Sequence, residues 1–293
     1  MDVTCLPKRH TRLPNFFIAG APKAGTDLLY YQLDRHPQVF MSPLKEPNYF
    51  AEEIRIERFD PSLQPRIKTS HAELRAYLDA GAPGKRFGGI VTGLEDYCGL
   101  FASAHGERAI GEGSVCYLWS RTAAAGIASL IPHARVIIVL MDPAERAYQQ
   151  YLKSLSDGSV THSFSTHLDL AFDDLLKPQS QIRLFNPFLA FGEYAEQVDR
   201  YLKRFPPEQL FLSFYEDTQR DYHQWFAQLL TFLEVDCSVP PEEVDVPSTP
   251  HLPPGTAERR RVPEDRARLV AYYERDILRL QSLIGRDLSS WLD

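Results

Sequence analysis

Apolar runs and helical patterns alternate along this chain in an order that predicts a layered α/β protein. Asn15-Phe16-Phe17-Ile18 reads as an apolar strand that turns through Ala19-Gly20-Ala21-Pro22-Lys23-Ala24-Gly25 into a helix pattern near Thr26. That helix carries Leu28, Leu29, Tyr31, Gln32 and Leu33 and stops near His36-Pro37, because the residue before a proline is pushed out of the helical region. A short strand over 38–41 follows. Patterning weakens over 51–107, with one helix expected over 71–80 and turns over 81–89, so this stretch reads as a surface excursion. Regular alternation resumes with a strand over 108–112, a helix over 122–131 and the near-continuous apolar run Arg135-Val136-Ile137-Ile138-Val139-Leu140, which suits a parallel sheet covered on both faces.

Asp142-Pro143 then opens a helix, with aspartate as N-cap, proline at the first helical position, and Ala147, Tyr148, Tyr151, Leu152 and Leu155 on one face. The stretch 156–190 reads as irregular and long enough to be a lid. A further helix, strand and helix run from Glu193 through Leu210-Phe211-Leu212-Ser213-Phe214 to Leu233, and an amphipathic helix over 264–284 ends at Gly285. The βα alternation predicts a mainly parallel sheet flanked by helices. Residues 1–14 mix basic residues and prolines without periodicity and are expected to form a mobile arm, leaving 15–293 as one domain.

Composition narrows the partners more than the fold. At 293 residues, 44% hydrophobic and 24% charged, the chain can bury one large core. The net charge of −7 disfavours nucleic acid or an anionic membrane as the main partner. Cys5, Cys98, Cys116 and Cys237 are scattered without metal-ligand spacing, which predicts buried thiols and no metal site. Pro7, Lys8, Arg9, His10 and Arg12 interrupt any leader-like apolar run, so the expectation is a soluble, cytoplasmic protein without integral membrane contact.

The candidate chemistry begins in the first loop. Gly20 and Gly25, with four residues between them, let the backbone curl so that its N–H groups face inward, while the helix from Thr26 aims its positive end at the same point. An anion belongs there. The spacing approaches that of a nucleotide-binding phosphate loop, but Lys23 precedes the second glycine and no Lys-[Ser/Thr] pair follows it to hold magnesium, which argues against an ordinary NTPase.

Taken with this loop, Lys45-Glu46-Pro47-Asn48-Tyr49-Phe50, Asp142-Pro143-Ala144-Glu145-Arg146-Ala147-Tyr148, Gly192-x-Tyr194, Phe205-Pro206-Pro207-Glu208-Gln209-Leu210, Tyr215-Glu216-Asp217 and the closing 285–292 segment give the chain a family likeness. It resembles the sulfotransferases that use 3′-phosphoadenosine-5′-phosphosulfate, and more narrowly bacterial enzymes related to the sulfotransferase domains of heparan sulfate biosynthesis. The resemblance implies a P-loop-related sheet wrapped by helices and transfer of a sulfuryl group to a hydroxyl or amine, without a metal. It further implies that Pro22, Lys23, Ala24, Gly25, Thr26 and Asp27 line the 5′-phosphosulfate, with Lys23 stabilising the leaving phosphate and the backbone N–H groups of Ala24 to Asp27 and the Thr26 hydroxyl holding its oxygens. Asp27 departs from the hydroxyl residue common in the family and is expected either to face away or to orient a neighbour. Glu46 matches the family's general base, and Asn48, Tyr49 and Ser114 fall where an acceptor would be lined, with Phe50 and Tyr117 as further candidate walls.

The 3′-phosphate pocket is less complete. Where relatives carry an arginine and a serine, this chain has Met141 and Gln149, and methionine cannot pair with a phosphate. Gln149, Arg146, Lys153, Arg259 and Arg260 are the remaining candidates, with Arg146 alternatively in a structural ion pair and the Arg259-Arg260-Arg261 run alternatively a solvated loop. The acidic balance favours a small-molecule, lipid or neutral sugar acceptor over a long polyanion. Two rivals keep the fold: a nucleotide-binding protein without transfer activity, and a small-molecule kinase.

Overall fold

The computed structural model describes residues 12–58, 64–175, 188–242, 244 and 262–293. The expected arm over 1–14 and the arginine run 259–261 therefore fall wholly or mostly outside the described residues. In chain order the elements are β1 (Phe16–Ile18), α1 (Thr26–Arg35), β2 (Val39–Met41), β3 (Leu44–Lys45), α2 (Gln64–Asp79), β4 (Arg86–Phe87), α3 (Leu94–Gly99), β5 (Ala109–Gly113), α4 (Cys116–Trp119) and α5 (Ala123–Leu130). They continue with β6 (Arg135–Leu140), α6 (Pro143–Ser156), α7 (Phe164–Leu175), α8 (Tyr194–Leu202), β7 (Leu210–Phe214), α9 (Tyr215–Arg220), α10 (Tyr222–Phe232) and α11 (Pro263–Ile284).

Five strands form one sheet in the order β2-β5-β1-β6-β7, and each neighbouring pair runs parallel. Phe16, Phe17 and Ile18 are buried on both faces, as the unbroken apolar patterns of β1 and β6 require when helices cover the sheet. β1 is the switch point: β5 and β2 lie to one side of it, β6 and β7 to the other, so the loop leaving its carboxyl end opens into the crevice where such sheets hold ligands.

Several elements differ from the sequence expectation. The stretch 51–107 is not a mere excursion, because Val91, Tyr97, Leu100 and Phe101 are buried in the main core and β3 and β4 pair beside it. Its helix starts earlier, at Gln64, than the apolar spacing suggested. Within 156–190, expected to be irregular, α7 forms and buries Phe164 and Leu168, which are four residues apart and share one face; 176–187, part of the segment expected as a lid, lie outside the described residues. Cys98 and Cys116 are buried as expected, whereas Cys237 is exposed.

Gly111 shows how tightly the central strands meet. It lies opposite Phe16 in the register, and a Cβ built on it would approach the Phe16 ring to 2.2 Å. Gly111→Ala is therefore expected to cost about 3 kcal/mol by overpacking and to lower the thermal midpoint by at least about 5 °C. A midpoint within a degree of wild type would mean that the ring has room to move.

Candidate active site

The loop between β1 and α1 is built by backbone constraints. Ala19 N–H donates to the Ile137 carbonyl (2.9 Å) and Ala21 N–H to that of Val139 (2.8 Å), so the loop continues the sheet ladder along β6 before it curls. Gly20 lies against that strand, where an added Cβ would stand 2.8 Å from the Val139 oxygen. Lys23 (φ 73°) and Gly25 (φ 82°) are left-handed, which turns the chain back over the N-terminus of α1. The first-turn N–H groups of a helix lack intrahelical acceptors, and here they face the end of the sheet's crevice with Gly25 as N-cap. Thr26 is buried, and Pro22, Lys23 and Asp27 are half-buried. Burial holds the Lys23 ammonium below the ordinary lysine range; the Asp27 carboxylate opposes this, and the charges of Lys153 and Lys45 add to it.

A second loop faces the first. Glu46 (φ 64°) and Asn48 (φ 58°) both take left-handed backbone conformations that cost non-glycine residues about 1–3 kcal/mol each, so the surroundings must hold them. They do so through Glu46 N–H to the Gly113 carbonyl (2.9 Å), Gly88 N–H to the Lys45 carbonyl (2.8 Å) and Gly89 N–H to the Glu46 carbonyl (3.0 Å). The carboxylate itself accepts from Lys45 Nζ (2.9 Å) through Oε1 and from Val115 N–H (3.0 Å) through Oε2. Lys45 is 2% exposed and also meets Asp27 Oδ1 at 2.6 Å. Burial alone would lower its pKa, but Glu46 and Asp27 carry it above the usual value. Asp27 thus faces Lys45, the neighbour-orienting one of the two alternatives that the sequence left open.

Beneath this loop lies a buried carboxyl that sequence patterning did not mark as buried. Glu112 is fully enclosed and accepts from Tyr117 Oη (2.7 Å), Ser114 Oγ (2.8 Å) and Tyr97 Oη (3.1 Å). Burial pushes its pKa up to about 7 against the lowering effect of these three donors.

Several expected site residues turn out to be scaffold. Ser114 is fully buried, with Oγ donating to Glu112 and accepting from Asn48 N–H (3.2 Å), so it braces the loop and does not line an acceptor cavity. Asn48 donates from Nδ2 to the Glu46 and Gly89 carbonyls (2.9 and 2.8 Å) and accepts from Cys116 Sγ (2.7 Å); its side chain fixes the turn that presents Glu46. Phe50 and Tyr117 are core residues, while Tyr49 stays partly exposed and stacks on Tyr97 at 4.3 Å between ring centres. Arg146 is fully buried, its guanidinium bonded to Gln150 and the Phe188 carbonyl, so the nucleotide contact expected of it gives way to a structural role. Gln149 donates to Glu145 Oε1 (2.7 Å) one helical turn away, and Met141 is buried. Arg259 and Arg260 lie outside the described residues. Among the described residues no group of three or more His, Cys, Asp or Glu side chains is placed to hold a metal ion, and no helix is long and apolar enough to cross a membrane.

A family model described as "Sulfotransferase family" matches residues 14–239, which include both loops. The chain belongs to the sulfotransferase family. It is 29% identical over 217 residues to human bifunctional heparan sulfate N-deacetylase/N-sulfotransferase 3, covering 72% of this chain and 21% of that protein. It is 26% identical over 290 residues to human carbohydrate sulfotransferase 15, covering 87% and 48% respectively. The chain thus spans about a fifth to a half of the length of these curated relatives. Among solved structures, the sulfotransferase from Alicyclobacillus acidocaldarius superposes with a TM-score of 0.75 at 31% identity, over 96% of this chain and 100% of that one. The chain therefore has the parallel-sheet fold of its family, as both the element order and the resemblance implied.

The raised pKa of Glu112 sets a pH signature for the fold. The native chain binds this proton more tightly than the unfolded chain, whose value is 4.5, so the stabilisation is full below about 4.5 and is lost as pH rises through about 7. Glu112→Gln should abolish that slope and gain about 2–3 kcal/mol relative to wild type between pH 5 and pH 8 in urea unfolding. A constant difference between the two proteins across this range would refute the buried-acid assignment.

Proposed function

We propose that the protein transfers a sulfuryl group from 3′-phosphoadenosine-5′-phosphosulfate to a hydroxyl or amine of a small-molecule, lipid or sugar acceptor. The observation that carries this reading is the meeting of the two loops. Lys23, on the anion-binding turn, and Glu46, on the strained turn after β3, are close enough for the Glu46 charge to act on the Lys23 ammonium. The loop fits a phosphate group: a left-handed pair at Lys23 and Gly25, a helix N-terminus, and a lysine from which water is largely removed.

The bound donor supplies an electrophilic sulfuryl group on a phosphate leaving group, so the protein's work is positioning, charge stabilisation and proton removal. In this reading the N–H groups of Ala24 to Asp27 and the Thr26 hydroxyl bind the phosphate oxygens, and Lys23 offsets the charge that develops as the phosphate leaves. Lys153, whose charge already reaches Lys23 from α6, adds a second cation on that side. Glu46 takes the acceptor's proton on a carboxylate oxygen. Each oxygen accepts one bond from the protein and keeps a lone pair for the incoming hydroxyl or amine. The exposed Phe87, whose ring lies 4.8 Å from Lys45 Nζ, sets an aromatic face beside the Lys45–Glu46 pair that supports an acceptor with an apolar or sugar face.

Calorimetry with 3′-phosphoadenosine-5′-phosphate, alongside adenosine-5′-phosphate and ATP, tests the donor site. Wild type should bind the 3′,5′-bisphosphate tightly without magnesium, and Lys23→Ala should weaken it about tenfold or more. Glu46→Gln should keep nucleotide affinity while sulfuryl transfer falls roughly 10²–10⁴-fold. Tighter binding of ATP with magnesium would favour a kinase, and binding with a rate indifferent to Glu46→Gln would favour a non-catalytic nucleotide-binding protein.

A further inference from the structure

We propose that Asp27 is a positioning residue of this site: acting through the buried Lys45 ammonium, it ties the Glu46 carboxylate to the first turn of α1 and keeps the Lys45 charge balanced when Glu46 takes the acceptor's proton. The inference rests on the assignment of Glu46 as the base. The geometry supporting it is a three-member charge cluster drawn from separate elements. Lys45 Nζ lies 2.6 Å from Asp27 Oδ1 and 2.9 Å from Glu46 Oε1, so the shorter contact goes to α1 and the longer to the catalytic loop. The ammonium is 2% exposed and backed by the Phe87 and Tyr30 rings, at 4.8 and 6.0 Å, and little solvent is left to screen it from either carboxylate.

Charge counting gives the consequence. A carboxylate paired alone with a buried ammonium gives up proton affinity, because protonation would leave the cation without a partner. Two carboxylates sharing one ammonium carry a net charge of −1, so Glu46 can take a proton while Asp27 still balances Lys45. The other titratable groups acting on Glu46 are Lys23 from the phosphate loop, Glu112 from β5 and the Cys116 thiol from α4. Lys23 acts in the same sense as Lys45. Glu112 acts as a neighbouring carboxyl that is itself partly protonated near neutrality, and Cys116 is held as a neutral thiol by burial. Asp27 is thus the carboxylate in direct contact with the Lys45 charge opposite Glu46.

The same residue carries a cost on the donor side. Asp27 occupies the first turn of α1, where the helix end attracts anions, and its permanent negative charge competes with phosphate oxygens for that field. Its removal should therefore move two observables in opposite directions: nucleotide affinity up, proton affinity of Glu46 down. A residue with a purely structural role would lower both or change neither.

The test is Asp27→Asn, read by calorimetric affinity for 3′-phosphoadenosine-5′-phosphate and by carbon-13 NMR titration of the Glu46 carboxyl, whose signal is assigned by its loss in Glu46→Gln. Asp27→Asn is expected to bind the bisphosphate about 3–10-fold more tightly and to move the Glu46 titration below that of wild type. Asp27→Glu, which keeps the charge, should hold both close to wild type and carries the same test if the asparagine variant is too unstable to titrate. An unmoved Glu46 titration in Asp27→Asn, or a loss of nucleotide affinity alongside a lowered thermal midpoint, overturns the proposal. Failure of the base assignment shows separately, as sulfuryl transfer that survives Glu46→Gln whatever the titration does.

Discussion

The close approach of Gly20 to the backbone of Val139 is the constraint on which the site depends. With no side chain between them, the chain leaving β1 keeps bonding to β6 through Ala19 and Ala21 and then has nowhere to go except back over the start of α1. The left-handed Lys23 and Gly25 make that reversal within a few residues. Because β1 is the strand at which the sheet order changes direction, the reversal occurs where the crevice between the two halves of the sheet opens. A β-carbon at residue 20 would push the loop off β6, and the lysine, the helix N-terminus and Asp27 would all move with it.

Against this backbone frame the protein sets a seam of buried polar groups that runs from the sheet interior to the mouth of the site. Glu112 lies at its inner end, held by three hydroxyls; Ser114 and Asn48 form the middle; Glu46, Lys45 and Asp27 form the outer end. In an apolar interior an unpaired member of such a seam costs more than the pair contributes, so each group is fixed by its neighbours and the whole moves little. That rigidity offsets the two left-handed residues, Glu46 and Asn48. The strain in the turn is affordable because carbonyls from Gly113 and Glu46 and side chains from two other elements define where the turn must be.

What was legible in the sequence follows from whether the determining contacts are local. The strand, loop and helix at 15–35, the apolar run of β6 and the Asp142-Pro143 cap are each specified by residues within a few positions, and the structure matches them closely. Burial of a polar side chain is set by residues far away. Arg146 lies on a helix whose pattern could serve ligand or core, and the Phe188 carbonyl, more than 40 positions on, makes it core. Ser114 and Asn48 sit in the expected place beside Glu46 but turn inward, Ser114 to donate to the buried Glu112 and Asn48 to donate to the Glu46 and Gly89 carbonyls. α7 was masked by its Ser, His and Asp content, although the spacing of Phe164 and Leu168 already carried the helical signal. Asp27 was readable as an anomaly in an expected anion site; only the contact with Lys45 Nζ, from a separate element, shows what the anomaly touches.

The far side of the loop is fixed by contacts of still longer range. Asp142 caps α6 through Oδ1 and takes Arg266 of α11 at 2.8 Å through Oδ2. Its own N–H donates to Glu216 Oε1, which also accepts from Trp291 Nε1 at 3.0 Å. Next to Glu216, Asp217 binds Arg286 in a two-point fork (2.7 and 2.8 Å), and that guanidinium lies 3.8 Å from the centre of the Phe214 ring. The start of α6 is therefore set jointly by the ends of β6 and β7 and by chain more than 120 positions later. The same helix carries Lys153, whose charge reaches Lys23 on the loop after β1. Asp142-Pro143, Tyr215-Glu216-Asp217 and the 285–292 segment, scattered in sequence, thus meet in a single joint that fixes the start of α6.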